Sequence, residues 1–357
     1  MALCKGFVLV FILFICLRTS EGGGRGFCVE RKPWSDNRSC PRSTTIKRSL
    51  KYYQTIVVDQ SGQGDYTTIQ SAINAIPPEN MQWICVYVKA GTYNEQVKIP
   101  NDKPMIYLKG AGKRKTYVVW SSHISIETDA TFISEADDVV VKSITFINSY
   151  NYPLTNINKP IMPAVAAKIS GDRSAFYRCG FMGVQDTLWD VAGRHYFKLC
   201  SIRGAVDFIM GSGQSIYERC TVSVIAGFLS PQPGFITAQS RDDPSQNNGF
   251  VFKDCNVIGN GTTYLGRPWR GHARVLFYNS TLSDIVVPEG WLDGDFIGTT
   301  IRNDLVFAED DCRGAGSGMS GRVPWAKRLN KEEVRRLTSM SYIDDEGWIS
   351  NQAFNML

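Results

Sequence analysis

In the middle of the chain, apolar residues recur with a period much longer than a helix turn or a strand pleat. Cys179 and Cys200 lie 21 residues apart, and their surroundings match. Phe176 and Phe197 precede them by three positions, Phe181 and Ile202 follow by two, Gly183 and Gly204 by four, and Asp186 and Asp207 by seven. The pattern returns around Cys220 after 20 residues, around Cys255 after 35 and at Leu276-Phe-Tyr-Asn279 after 24. A repeat of this length is one coil of a solenoid, in which each coil stacks its apolar positions on the next. The longer interval implies an insertion, and residues 231–248 are read as its loop.

Shorter runs fit the same scheme. Strands are predicted at residues 56–59, 84–89, 97–99, 105–108, 116–120, 131–134 and 139–148, broken by Gly, Asn and Asp. Residues 65–76 place Ile69, Ala72, Ile73 and Ile76 at helical spacing before Pro77-Pro78. This helix is predicted to cover the open end of the solenoid, whose end coil would expose strand edges. Asn330 three residues before Glu333 is a capping-box pattern, so a helix is predicted at 331–337. Residues 314–321 are Gly/Ser-rich and read as loop, and the chain from about 300 as a tail along the solenoid. The predicted class is all-β, a right-handed parallel β-helix with an N-terminal capping helix and a C-terminal tail of loop and short helix.

The repeat has a chemical consequence. Equivalent residues of successive coils sit about 4.8 Å apart, so Asp186 and Asp207 are predicted to stack. Two anions that close resist double ionisation, and one pKa rises. A neutral acid beside a carboxylate suits acid/base and nucleophilic chemistry. Taken alone, such a pair could equally be a polar ladder at a bend or a calcium site. Gln185 is an amide donor beside it, and Leu265-Gly-Arg267-Pro-Trp269 supplies a cation and an indole.

Four blocks in this order, GTYNE at 91–95, QDTL at 185–188, GAVDFIMG at 204–211 and LGRPW at 265–269, resemble the signatures of pectin methylesterases. The likeness runs from about Ile56 to the C-terminus. It implies hydrolysis of the methyl esters of polygalacturonate to pectate and methanol, with no metal or organic cofactor. It also implies Asp207 as nucleophile, kept ionised by Arg267, Asp186 as general acid/base and Gln185 as oxyanion donor. Trp269 resembles the sugar-stacking tryptophan of the family. Trp291 is a candidate second one, and either indole could instead be coil packing. Arg267 could be a plain salt bridge, and Glu95 matches a signature position with no chemical role visible. Trp189 and Met210 stand where tyrosine and phenylalanine are usual. One departure bears on rate: Pro163 occupies the place of a glutamine that helps cradle the oxyanion, and proline offers neither a side-chain donor nor an N–H. Two alternatives of other classes stand beside the esterase: a polygalacturonate lyase with calcium on the aspartates, and a pectin-binding wall protein of reduced activity. Expected partners are methyl-esterified homogalacturonan and a proteinaceous inhibitor, without nucleic acid or membrane.

Composition adds a compartment. Apolar residues make up 43% and charged residues 20% of 357, enough for one large core. The net charge of +5 is too mild for nucleic acid and would allow weak retention on a polyanion. Residues 1–21 carry Lys5, then a 12-residue apolar run at 6–17, then Arg18, which reads as a signal peptide rather than a bilayer span. Residues 22–50 read as a linker, with Cys28 and Cys40 able to close a loop, and 51–357 as the catalytic domain; 29 residues do not hold the inhibitor-like helical region of longer relatives. A secreted cell-wall location follows, with disulfides permitted among the eight remaining cysteines. Cys179 and Cys200 could meet across adjacent coils, and a Cys220–Cys255 pair resembles a family bridge. Sequons begin at Asn37, Asn260 and Asn279. Without C-x-x-C and with only His123, His195 and His272, a zinc site is not expected. No G-x-S-x-G elbow is present.

Overall fold

A computed structural model describes residues 54–154, 160–293 and 304–352. The leader, the linker, Cys28, Cys40 and Asn37 lie outside the described residues. The chain winds as a parallel β-helix of three sheets with ten, eight and seven strands. One coil shows the plan: Ser174–Tyr177 lies in the first sheet, Gly180–Met182 in the second and Leu188–Asp190 in the third. The next coil repeats it with Arg194–Lys198, Ser201–Gly204 and Ile209–Gly211. Phe176 pairs with Phe197, Phe181 with Ile202 and Leu188 with Ile209, so the 21-residue repeat is the strand register.

Inward positions build the core. Phe176, Phe197, Tyr217, Phe252 and Phe277 form one aromatic column, with successive ring centroids 5.0, 4.5, 4.6 and 4.5 Å apart. Each step is close to one strand spacing, so stacking and backbone pairing favour the same register. The cysteines form a second column. Cys179 and Cys200 do meet, the Cys179 amide donating to Cys200 Sγ at 3.4 Å, but as thiols. The family-type bridge from Cys220 to Cys255 is likewise not formed. Instead the Sγ–H of Cys200, Cys220 and Cys255 each donates to a carbonyl of the preceding coil, at 3.3, 3.4 and 3.1 Å.

The bend before each cysteine column position uses a left-handed residue: Arg178, Leu199, Arg219 and Asp254 all have φ between 53° and 57°. A further one, Ser143, divides the run predicted at 139–148 into Val140–Lys142 and Thr145–Asn148. The insertion differs from its prediction as well. Within the segment read as loop, Gly234–Gln239 is a strand of the third sheet, preceded by a short 3-10 turn at Ala226–Leu229. A coil lengthened by an insertion still has to fill its place in each sheet, or its neighbours would keep unpaired backbone groups. At Asn279, the side chain donates to Asp254 (2.6 Å) and accepts from Arg313 (2.8 Å), whereas Asn260 is exposed.

Segments near either end of the described residues serve as covers. The helix Ile69–Ala75 buries Ile69, Ala72 and Ile73 against the first coil. The helix Lys331–Thr338 has the predicted capping box. With the turns that follow, it lays Leu337, Tyr342, Ile343 and Trp348 over the outer face of the ten-stranded sheet, on Tyr177, Tyr196, Ile216 and Val251.

Glu95, which showed no chemical role in the sequence, receives a structural one. Its two carboxylate oxygens accept from the amides of Ile69 and Gln70, both at 2.8 Å, at the start of the capping helix. Charge-assisted bonds to helix N-terminal amides satisfy donors that have no partner within the helix. Glu95→Ala is expected to lower stability by about 1–2 kcal/mol, read as a drop in the denaturation midpoint, with kcat retained in the folded fraction.

Candidate active site

Asp186 and Asp207 occupy the bend between the second and third sheets. Both are left-handed, with φ of 58° and 47°, a conformation that aspartate tolerates better than most residues. Gln185 and Val206 form a parallel bridge, and the Asp186 amide donates to the Val206 carbonyl at 3.1 Å. The two aspartates are therefore neighbours across one strand spacing, as the repeat predicts. The pair has only two rungs. On the preceding coil lie Ala164 and Val165, the Ala164 amide donating to the Gln185 carbonyl (3.2 Å). On the following coil lies Phe235, whose amide donates to the Ala205 carbonyl (2.9 Å).

The register needs glycine at its close approaches. Gly211, the last residue of the GAVDFIMG block, has φ of +118°, and a Cβ there would lie 1.9 Å from the Asp190 carbonyl oxygen. Behind the site, Asp190 Oδ1 is 2.6 Å from His195 Nδ1, Tyr217 donates to Asp190 Oδ2 at 2.7 Å, and His195 Nε2 is 2.9 Å from the Gly171 carbonyl oxygen. All three side chains are buried. This satisfied network anchors the strand that follows Asp186.

Arg267 projects from the strand Thr263–Pro268, two coils beyond that of Asp207. Its Nε donates to Asp207 Oδ1 at 2.9 Å and its Nη2 to Oδ2, a two-pronged fork. Its guanidinium carbon also lies 4.3 Å from the centre of the Phe235 ring. Burial pushes the Asp186 carboxyl up to about 7, helped by the negative charge of Asp207 and opposed by Arg267. Asp207 is raised too, by burial, with the Arg267 fork pulling against it. The expectation that Arg267 keeps Asp207 ionised has to be set against burial: a carboxylate only 4% exposed loses enough hydration to work against its own salt bridge. The contrast between the two acids survives, because Asp207 has the fork and Asp186 does not.

These groups open on a groove of about 580 Å³. Gln185, Asp186, Asp207, Arg267 and Trp269 all line it, as do Pro163, Trp189 and Met210. Trp269 is exposed. Trp189 carries the Lys168 ammonium 4.9 Å from its ring centre, and that ammonium is paired with Glu127. Trp291 is not part of the groove, which corrects its reading as a substrate-binding residue. It is fully buried, its ring centre is 4.7 Å from that of Phe307, and its indole N–H donates to Glu309 at 3.2 Å. The bridge between Gly266 and Trp291 sets it one coil on, with its side chain turned into the core. Ser240, Asp242 and Arg270 also line the groove without having been found in the sequence, and Phe235 was missed because its strand fell inside the segment read as loop.

Comparison with known proteins gives this geometry its context. The family model for pectinesterase matches residues 55–346. The chain belongs to the pectinesterase family. It is 53% identical over 303 residues to Probable pectinesterase 29 of Arabidopsis thaliana, covering 84% of this chain and 90% of that one. Probable pectinesterase 55 of the same plant is 51% identical over 299 residues, covering 83% and 90%. Among solved structures, the pectin methylesterase from carrot superposes with a TM-score of 0.76 at 30% identity, covering 85% of this chain and 97% of that one. The enzyme from Aspergillus niger gives 0.71 at 28% identity, covering 85% and 96%. As a pectinesterase the protein is a carboxylic ester hydrolase that acts on the methyl esters of pectin.

The raised carboxyl at Asp186 makes the site a liability for the fold. A folded-state pKa above the unfolded value of about 3.9 means that the native state binds the proton more tightly. Stability is then lost as pH rises from that value to about 7. Asp186→Asn is expected to raise the melting temperature above pH 7 and to change it little at pH 4; an equal gain at both pH values would contradict the assignment.

Proposed function

We propose that the pectinesterase reaction of this chain runs through Asp207 as nucleophile and Asp186 as general acid and base. The observation that carries the reading is the fork from Arg267 to one aspartate of a stacked, buried pair while the other sits near pH 7. The Asp207 carboxylate attacks the C6 carbonyl carbon of a methylated galacturonate. Gln185 donates to the oxygen on which charge develops; one such donor typically contributes about 3–4 kcal/mol. The C–O bond to the methoxy group then breaks, Asp186 transfers its proton to the departing oxygen, and methanol leaves an acyl anhydride on Asp207. Asp186, now a carboxylate, takes a proton from water, whose oxygen adds to the anhydride and releases a pectate carboxyl and Asp207. The exposed Trp269 offers its indole face to a flanking sugar.

The substrate is accordingly methyl-esterified homogalacturonan. A solved pectin methylesterase bound to a hexasaccharide shares the fold. Secretion to the cell wall is proposed from the leader at residues 1–21, and an inhibitor protein covering the groove remains part of the proposal.

A methanol-release assay on purified wild type and Asp207→Asn tests the mechanism. The variant is expected to lose at least about a thousandfold in kcat, and wild-type kcat/KM to fall as pH rises through about 7, where Asp186 gives up its proton. Activity retained in Asp207→Asn would remove Asp207 from the role.

Pro163 generates a second expectation. It lines the groove with Gln185 and both aspartates, yet offers no donor. Pro163→Gln is expected to raise kcat by at least about tenfold, within the hundred- to thousandfold range of a single oxyanion donor, with KM little changed. An unchanged kcat would mean that another group already fills that place.

A further inference from the structure

Phe235 faces outward from the strand Gly234–Gln239, on the coil that follows Asp207. Its ring lies against that of Tyr264 on the next coil, with centroids 5.4 Å apart and planes within 10°. Phe235 and Tyr264 are register partners, so this stack is fixed by the sheet. Arg267 starts three residues beyond Tyr264 and has to pass Phe235 to reach Asp207. Its guanidinium carbon sits 4.3 Å from the Phe235 ring centre on that path. The guanidinium therefore has two fixed neighbours, the carboxylate at its edge and the aromatic face beside it.

We propose that Phe235 is a positioning residue for this esterase: its ring, backed by Tyr264, holds the Arg267 guanidinium in the orientation that presents both donors to Asp207. The proposal rests on the reading of Asp207 as nucleophile. The physical argument has two parts. The face of an aromatic ring carries negative charge density and attracts a cation, most strongly where water is excluded. Arginine is planar and weakly hydrated, so it stacks with little loss of solvation. An arginine side chain without a platform recovers rotamer freedom, and a two-pronged contact, which needs one orientation, is the first thing lost. Asp207 would then face burial with weaker opposition from its cation. It would hold its proton to higher pH, where it cannot attack.

The test is the pH profile of methanol release for Phe235→Leu, Phe235→Met and Phe235→Trp, each also in an Arg267→Lys background. Leucine and methionine fill much of the space without an aromatic face, and tryptophan keeps the face. Phe235→Leu and Phe235→Met are expected to lose roughly three- to thirtyfold in kcat/KM on the acid side of the profile, with the acid limb moved to higher pH and KM for pectin little changed. Phe235→Trp is expected to keep the limb in place. In Arg267→Lys, where no planar group remains to stack, removing the ring should add little. A folded Phe235→Leu with the wild-type limb overturns the proposal. So does a loss uniform across pH and shared by Phe235→Trp, since that is what simple packing would produce. If neither apolar variant folds, Phe235 is a packing residue and the proposal fails. Asp207→Asn, assayed in parallel, separates the two levels: an active variant sinks the nucleophile reading, whereas an inactive one beside unaffected Phe235 variants sinks only the platform.

Discussion

Two carboxylates are held side by side in this protein by hydrogen bonds that neither side chain makes. The amide of Asp186 donates to the carbonyl of Val206, and that contact is set by the ladders of the second and third sheets on either side of it. The ladders in turn are kept in phase by what fills the solenoid. Aromatic rings from Phe176 to Phe277 stack at nearly the strand spacing, and the thiols beside them donate to carbonyls one coil back. A shift of one residue would turn inward side chains outward and dismantle these columns at once. The repulsion between two aspartates is therefore resisted by the whole core rather than by the site.

Placing the pair at a bend, rather than within a strand, gives it access to a groove while its backbone stays in the sheet. The left-handed backbone at both aspartates and the close approach at Gly211 are consequences of that placement. Environment then separates two chemically identical groups. Asp207 receives the fork of Arg267 from two coils on, whereas Asp186 is raised by burial and its neighbour's charge, with Arg267 opposing only through its charge and no hydrogen bond. In the proposed mechanism, the same burial that would make Asp186 a usable acid near neutrality lowers the stability of the fold there, so function and stability would draw on one carboxyl in opposite directions.

Different parts of the structure were legible in the sequence to different degrees. Wherever a signal repeats at a fixed interval, the reading holds: the coil, its register, the stacked aspartates and the capping box at Asn330 are all local or periodic. Where a role depends on which way a coil turns, it does not. Trp291 and Trp269 look alike in the sequence, a tryptophan after a glycine or proline beside a bend. One is buried against Phe307 and the other stands in the groove. Glu95 belongs to a conspicuous block, yet its partners are helix amides about 25 residues earlier. The strand containing Phe235 was hidden because an insertion interrupts the period that would have announced it.

The sequence by itself determined the architecture and the identity of the acids, because a solenoid converts spacing along the chain directly into stacking in space. Tertiary structure decided which residues serve those acids. Arg267 comes to Asp207 from another coil, Phe235 comes to Arg267 from the coil between, and the thiols of Cys200, Cys220 and Cys255 each meet a carbonyl of the preceding coil. Such choices depend on side-chain direction and on the depth of burial, which are properties of the assembled wall and have no counterpart in a repeat length.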